Sequence, residues 1–186
     1  MSTLAVADWA VDLAGRMLAP LGNRWLHAQG VGARARAIAP AFDQADRDVL
    51  IAAAYLHDIG YAPSLIVTGF HPVDGAQYLR LLGYERLACL VAYHSESQFE
   101  AAFRGLTSEL AVFPRERSAV ADALTYCDQL TNSLGKPVSF QLRHADILAR
   151  YAPDSVVCQA NREALSRLAL AVGRTKKRIT KYGVSE

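Results

Sequence analysis

The sequence predicts an all-α protein, a compact bundle of many helices. Three observations carry that prediction. Apolar residues recur at helical spacing along nearly the whole chain, Ala and Leu dominate these segments as good helix formers do, and strand-like alternation is almost absent. Pro and Gly fall between the periodic segments, with few inside them, and so mark the boundaries.

Taken in order, the first helix is expected over about 3–19 and stops at Pro20, Leu21 and Gly22. The second runs over roughly 23–39 and ends before Pro40. The third starts near Asp43 or Asp46, either able to cap it, and continues to Gly60. Residues 61–70 read as a turn or short helix around Pro63. A fourth helix begins at Pro72, a favourable first helical position, and ends at Gly83. A fifth covers about 84–95, and a looser stretch with short helices fills 96–114. The next starts after Pro114 and reaches about Ser133, where Gly135, Lys136 and Pro137 break it. Helices over about 139–150 and 155–180, separated by Pro153, complete the chain.

A length of 186 residues suffices for one domain, read here as 1–186, with a sizeable core. Apolar residues make up 52% and charged residues 20%, a globular composition. The formal charge is only +2 and the body has no dense basic block, so nucleic acid is not an evident partner. The run RTKKRITK at 174–181 reads as a solvated helix face. No apolar stretch reaches the 18 residues of a membrane span. The N-terminal segment carries Asp8 and Asp12 and lacks a basic start, so it reads as an amphipathic helix and not a signal peptide. Cys89, Cys127 and Cys158 are odd in number, far apart and in apolar helical surroundings, with no CxxC. That argues against a disulfide scaffold or a cysteine zinc site and fits a reducing cytoplasm.

The most informative stretch is AAAYLHDIGY, where an apolar helical run leads into His57 and Asp58. Burying two ionisable groups without partners costs several kcal/mol or forces a pKa shift, on the order of what a metal ion can offset by holding imidazole nitrogen and carboxylate oxygen together. Asp128, in ADALTYCDQLTNS, is the second carboxylate candidate. Asp122 on the same helix is turned about 120° away by its six-residue separation. His27 lies among Leu26, Val31 and Ile38, His71 stands just before a helix start, and His94 closes the run LACLVAYH. Taken singly, each of these histidines reads as a core or capping residue, and Asp128 as a helix-face carboxylate. The joint order reads as one site: a His, then His-Asp thirty residues on, then Asp seventy residues after that. His144 lies apart from the pattern and reads as a surface residue.

The order His27, His57-Asp58, Asp128, with LHDIG around the doublet, resembles the HD superfamily of metal-dependent phosphohydrolases over roughly residues 20–135. The resemblance implies an all-α HD-domain bundle whose helices aim their ligands at one point, followed by a helical extension over about 136–186. It implies that His27, His57, Asp58 and Asp128 hold a first metal, and that His71 and His94 bind a second, with Asp58 bridging. Mixed His and carboxylate ligands suit one or two divalent transition-metal ions, Fe, Mn, Co, Ni or Zn. The implied activity is hydrolysis of a nucleotide or other small phosphate ester by metal-activated water, with Asp58 and Asp128 the carboxylates nearest the chemistry. One departure concerns Tyr61, which stands where many members carry Lys after HDIG. Arg34 and Arg36 are the candidates to supply positive charge to substrate in its place, with Tyr61 itself beside them. Two other readings share the ligand set: a di-iron oxygenase of HD type, and a non-catalytic module that binds metal or nucleotide.

Overall fold

The computed structural model describes residues 6–184, so the expected start of the first helix at 3–5 lies outside the described residues. Helix α3 (Gln44–Leu56) runs through the middle of the molecule. Every residue from Leu50 to Leu56 is buried, as a helix apolar all round requires. Asp43 caps it by accepting the Asp46 amide at 2.9 Å. Around α3 pack α1 (Val6–Leu18), α2 (Asn23–Ile38), α5 (Glu85–Tyr93) and α8 (Ala119–Gln129). The buried stripe of α1, Ala7, Ala10, Leu13, Ala14 and Leu18, has the helical spacing of a core-facing surface.

Helix α4 (His71–Leu81) pairs with α5, and the short helices α6 (Gln98–Arg104) and α7 (Thr107–Ala111) follow. Ser118, Ser139 and Ser155 cap α8, α9 (Phe140–Arg150) and α10 (Val156–Lys181), each accepting an amide three residues on. Helix α10 lies across α8 and α6, with α9 packed beside it. All-helical architecture is therefore as expected. Among the described residues the one β feature is an isolated bridge between Thr131 and Pro137. No helix among them is long and apolar enough to cross a membrane.

The basic run on α10 is only partly solvated. Arg174 pairs with Asp122 at 2.6 Å, and Arg178 donates to the Ala41 carbonyl at 2.9 Å while lying over Phe42, whereas Lys176, Lys177 and Lys181 are exposed.

The third helix stops at Leu56, four residues short of the expected Gly60. The cause is local. The His57 Nδ1–H donates back to the Ala54 carbonyl at 2.8 Å, taking an acceptor that another helical turn would use. A short 3-10 turn, Ile59–Tyr61, follows and presses against the start of α4. Gly60 makes that approach possible: a Cβ there would lie 2.0 Å from the His71 carbonyl oxygen and 2.6 Å from the Gly75 nitrogen. Helix α5 ends in the same manner, with the His94 Nδ1–H donating to Val91 at 2.6 Å.

Candidate metal centre

Six side chains meet where α2, the ends of α3, α5 and α8, and the start of α4 converge. His27 projects from the second turn of α2, His57 and Asp58 follow α3, His71 opens α4, His94 follows α5, and Asp128 is in the last turn of α8. All but His71 are at least nine-tenths buried. Their donor atoms form two groups, each within 4.8 Å: His27, His57 and Asp128 in one, Asp58, His71 and His94 in the other.

Three of the four rings are held so that one nitrogen is spent on the backbone and the other faces the cluster. His27 donates from Nδ1 to the Asn132 carbonyl at 3.0 Å and turns Nε2 to Asp128 Oδ1 at 3.0 Å. His57 and His94 spend Nδ1 on Ala54 and Val91. His94 Nε2 then lies 3.3 Å from His71 Nε2, and His71 Nε2 lies 3.3 Å from Asp58 Oδ1. Asp58 Oδ1 is also 3.7 Å from His57 Nε2, so this carboxylate stands between the two groups. Its other oxygen accepts from Arg24 Nη1 at 3.1 Å. Asp128 Oδ2 accepts from Gln129 at 3.2 Å and from the Ser95 hydroxyl. Ser95 is aimed there by left-handed backbone, φ 48°, continued at Glu96 with φ 59°. Such conformations cost non-glycine residues about 1–3 kcal/mol and persist where surrounding structure fixes them.

The charges follow from this arrangement. Burial alone would raise Asp58, but His57, His71 and Arg24 outweigh it and hold the carboxyl well below its usual range. Burial is likewise outweighed at Asp128 by the bond and charge of His27. Burial pulls His57, His71 and His94 down, so these imidazoles favour the neutral form that a metal needs. At His27 the Asp128 carboxylate overcomes burial and raises the pKa.

A cation fits these residues. His57 Nε2 is fully buried and has no hydrogen-bond partner, a cost of about 1–3 kcal/mol for a lone pair left bare. The second nitrogen of His27 and of His94 is an acceptor facing other acceptors, an arrangement favourable only around a proton or a metal. Ligand atoms sharing one ion at about 2.1 Å lie roughly 3.0–3.5 Å apart, and the 3.0 and 3.3 Å contacts here match.

The six residues expected from the sequence are thus together. Asp58 lies nearest His71 and His94, because the turn after α3 carries it toward α4, while its Oδ1 is also 3.7 Å from His57 Nε2. Tyr61 is at the site, stacked face-on between the His71 ring at 4.0 Å and the Arg24 guanidinium at 3.8 Å. Arg34 is not. It donates to the Leu130 carbonyl at 3.1 Å and lines a separate cavity with Gly30, Ala37 and Pro137. Arg36 lies over the Tyr55 ring. His144 is half-exposed on α9, outside both groups. The positive charge at the cavity comes from Arg24, Arg143 and Arg150. Arg24 is one turn before His27, a spacing that the sequence did contain.

Fold and site define an all-helical protein with two clusters of imidazoles and carboxylates able to hold metal. The model of the HD domain matches residues 24–133, more than half the chain, and the chain belongs to the HD domain family, whose members bind divalent metals and are mostly hydrolases. Comparison with curated proteins and with solved structures finds no match.

Proposed function

We propose that this protein is a metal-dependent phosphohydrolase acting on a nucleotide or other small phosphate ester. One observation carries the reading: both ligand groups open onto a single cavity of about 160 Å³ whose rim holds Arg24, Arg143 and Arg150. A metal site facing guanidinium groups suits a phosphoryl group, whose oxygens take charge from both.

His27, His57 and Asp128 would hold one divalent transition-metal ion, Fe, Mn, Co, Ni or Zn, and Asp58, His71 and His94 a second, with Asp58 reaching both. An ion bound there supplies a water acidic enough to attack near neutral pH and positive charge for the phosphoryl oxygens. Arg24 neutralises the outer oxygen of Asp58 and keeps Oδ1 turned inward. Ser95 and Gln129 donate to the outer oxygen of Asp128 and keep its Oδ1 turned toward His27. Both carboxylates are held below their usual range, so each is a weak proton acceptor, and we assign them to ligation. The three cysteines, all buried and none in a disulfide, support a reducing, cytoplasmic setting.

The test is metal analysis of the purified protein joined to a phosphate-release screen over nucleotides and phosphomonoesters, run with each candidate metal. Release with at least one metal is the expected result. A second reading rests on Tyr61 beside four histidines and two aspartates: a di-iron oxygenase, which the same preparation would reveal by bound iron, ligand-to-iron absorption and no phosphate release. Tight binding without turnover in either assay would leave a metal- or nucleotide-binding module.

A further inference from the structure

The family-matched segment supplies every candidate ligand but only part of the cavity wall. The rest comes from α9 and α10: Arg143, Ile147, Val157, Ala160, Asn161 and Ala164 face the ligands across the cavity. Two side chains in this roof carry buried polar atoms that make no hydrogen bond. Arg143 is 8% exposed, and its Nε and Nη1 have no hydrogen bond. Its nearest carboxylate oxygens, on Asp128 and Asp146, stand at 3.8 and 3.7 Å, beyond hydrogen-bond reach. The Asn161 Oδ1 acceptor is likewise buried and unpartnered. Asp128 and Asp146 offset the charge of the guanidinium, but its two buried donors are left unmet, and an acceptor-rich group in the cavity would satisfy them.

We propose that Arg143 and Asn161 form the substrate-selecting half of the site, Arg143 taking the phosphoryl oxygens of a small phosphate monoester and Asn161 a hydroxyl or amino donor on its organic part. This rests on the phosphohydrolase reading and narrows it. The fork of Arg143 matches phosphoryl oxygens in pairs, and it sits over Asp128, beside the ligand groups. Asn161 lies on α10 among small and aliphatic side chains that leave room for a short organic group. The cavity, at about 160 Å³, falls below the roughly 300 Å³ at which pockets begin to enclose drug-sized ligands. The class is therefore a hydroxylated or aminated small-molecule phosphate, with nucleotides disfavoured.

The test uses the metal-loaded full chain. Inorganic phosphate binding is measured by calorimetry, and turnover of glycerol phosphate, n-propyl phosphate and AMP is compared. Arg143→Gln is expected to weaken phosphate on the order of tenfold to a hundredfold with metal content unchanged, and Arg143→Lys to lose less. Asn161→Leu is expected to lower kcat/KM for glycerol phosphate about tenfold and to spare n-propyl phosphate. Wild-type protein that loads metal yet binds no phosphate overturns the phosphohydrolase reading itself. Phosphate binding indifferent to Arg143→Gln and Arg143→Lys, or metal lost in both, overturns the role of Arg143 alone. Equal losses for the two esters in Asn161→Leu, or AMP turned over best, overturn the assigned class. Where Arg143→Gln fails to fold, Arg143→Lys carries the comparison.

Discussion

In the group formed by His27, His57 and Asp128, every donor has a hydrogen bond behind it: Asn132 and Ala54 carbonyls hold the two rings, and Ser95 and Gln129 hold the carboxylate. In the group formed by Asp58, His71 and His94, Arg24 backs the carboxylate and Val91 backs one ring, but His71 is positioned by stacking on Tyr61. His71 is also the most exposed of the six side chains, 15% against 1% at His57. The groups also differ in origin. The first joins α2 to α8 across the core, between residues far apart in the chain, whereas the second comes from the single stretch 58–94. Hydrogen bonds fix a ring's orientation and tautomer, and a stacked ring keeps freedom in its plane. The first group is thus the more firmly held of the two, and His71 is the ring with the most freedom to reorient.

The comparison turns first on the residue between the groups. Asp58→Ala is expected to remove both metals and with them all detectable phosphate release, as read by elemental analysis and the release assay. One full equivalent of retained metal would mean that Asp58 serves the second group alone. Next comes the joint that brings the groups together. Gly60→Ala places a methyl against backbone that has no side chain to yield, and should cost about 3 kcal/mol or more in chemical denaturation. A loss under 1 kcal/mol would show that the turn and α4 separate easily.

His71→Ala is smaller in reach: metal content should fall from two equivalents to one, with the fold intact. Unchanged stoichiometry would remove the second group as a metal site. The smallest effect is that of pH on the metal-free protein. His57, His71 and His94 have folded pKa values lowered by burial, so below about 6.5 the unfolded chain binds protons that the native one refuses, and stability falls on acidification. His27 opposes this, since its raised pKa stabilises the native state at low pH and that contribution fades as pH rises. With three groups lowered and one raised, the thermal midpoint is expected to be lower at about pH 5.5 than at about pH 7.5. In His27→Asn the fall should steepen, and a midpoint that rises on acidification contradicts the assignment.

Much of this site could be read from local context. The doublet His57-Asp58 closes an apolar helix, and Gly60 follows where the chain must touch α4. Asp128 was separable from Asp122 by helical angle alone, and Asp122 indeed faces outward to Arg174. Arg34 shows where such reasoning stops. It shares a helix face with His27, but seven residues carry it about 10 Å along the axis, to the Leu130 carbonyl, while Arg24 in the turn before His27 meets Asp58. Which end of a helix face approaches the site depends on how α2 lies against α3 and α8. Ser95 gave no signal either, because serine has no leaning toward left-handed backbone, and only the packing of its neighbours imposes it.

The sequence by itself determined the helices, the cap of the third, the six candidate ligands and the breaks between them. These depend on residues within a turn or two of each other, where spacing, capping chemistry and proline geometry act directly. Tertiary structure alone decided how the ligands divide into two groups, which arginines face them, and that α9 and α10 roof the cavity. Those outcomes depend on the direction in which packed helices carry side chains over 10 Å or so, a quantity set by the sum of many contacts and written in no single segment.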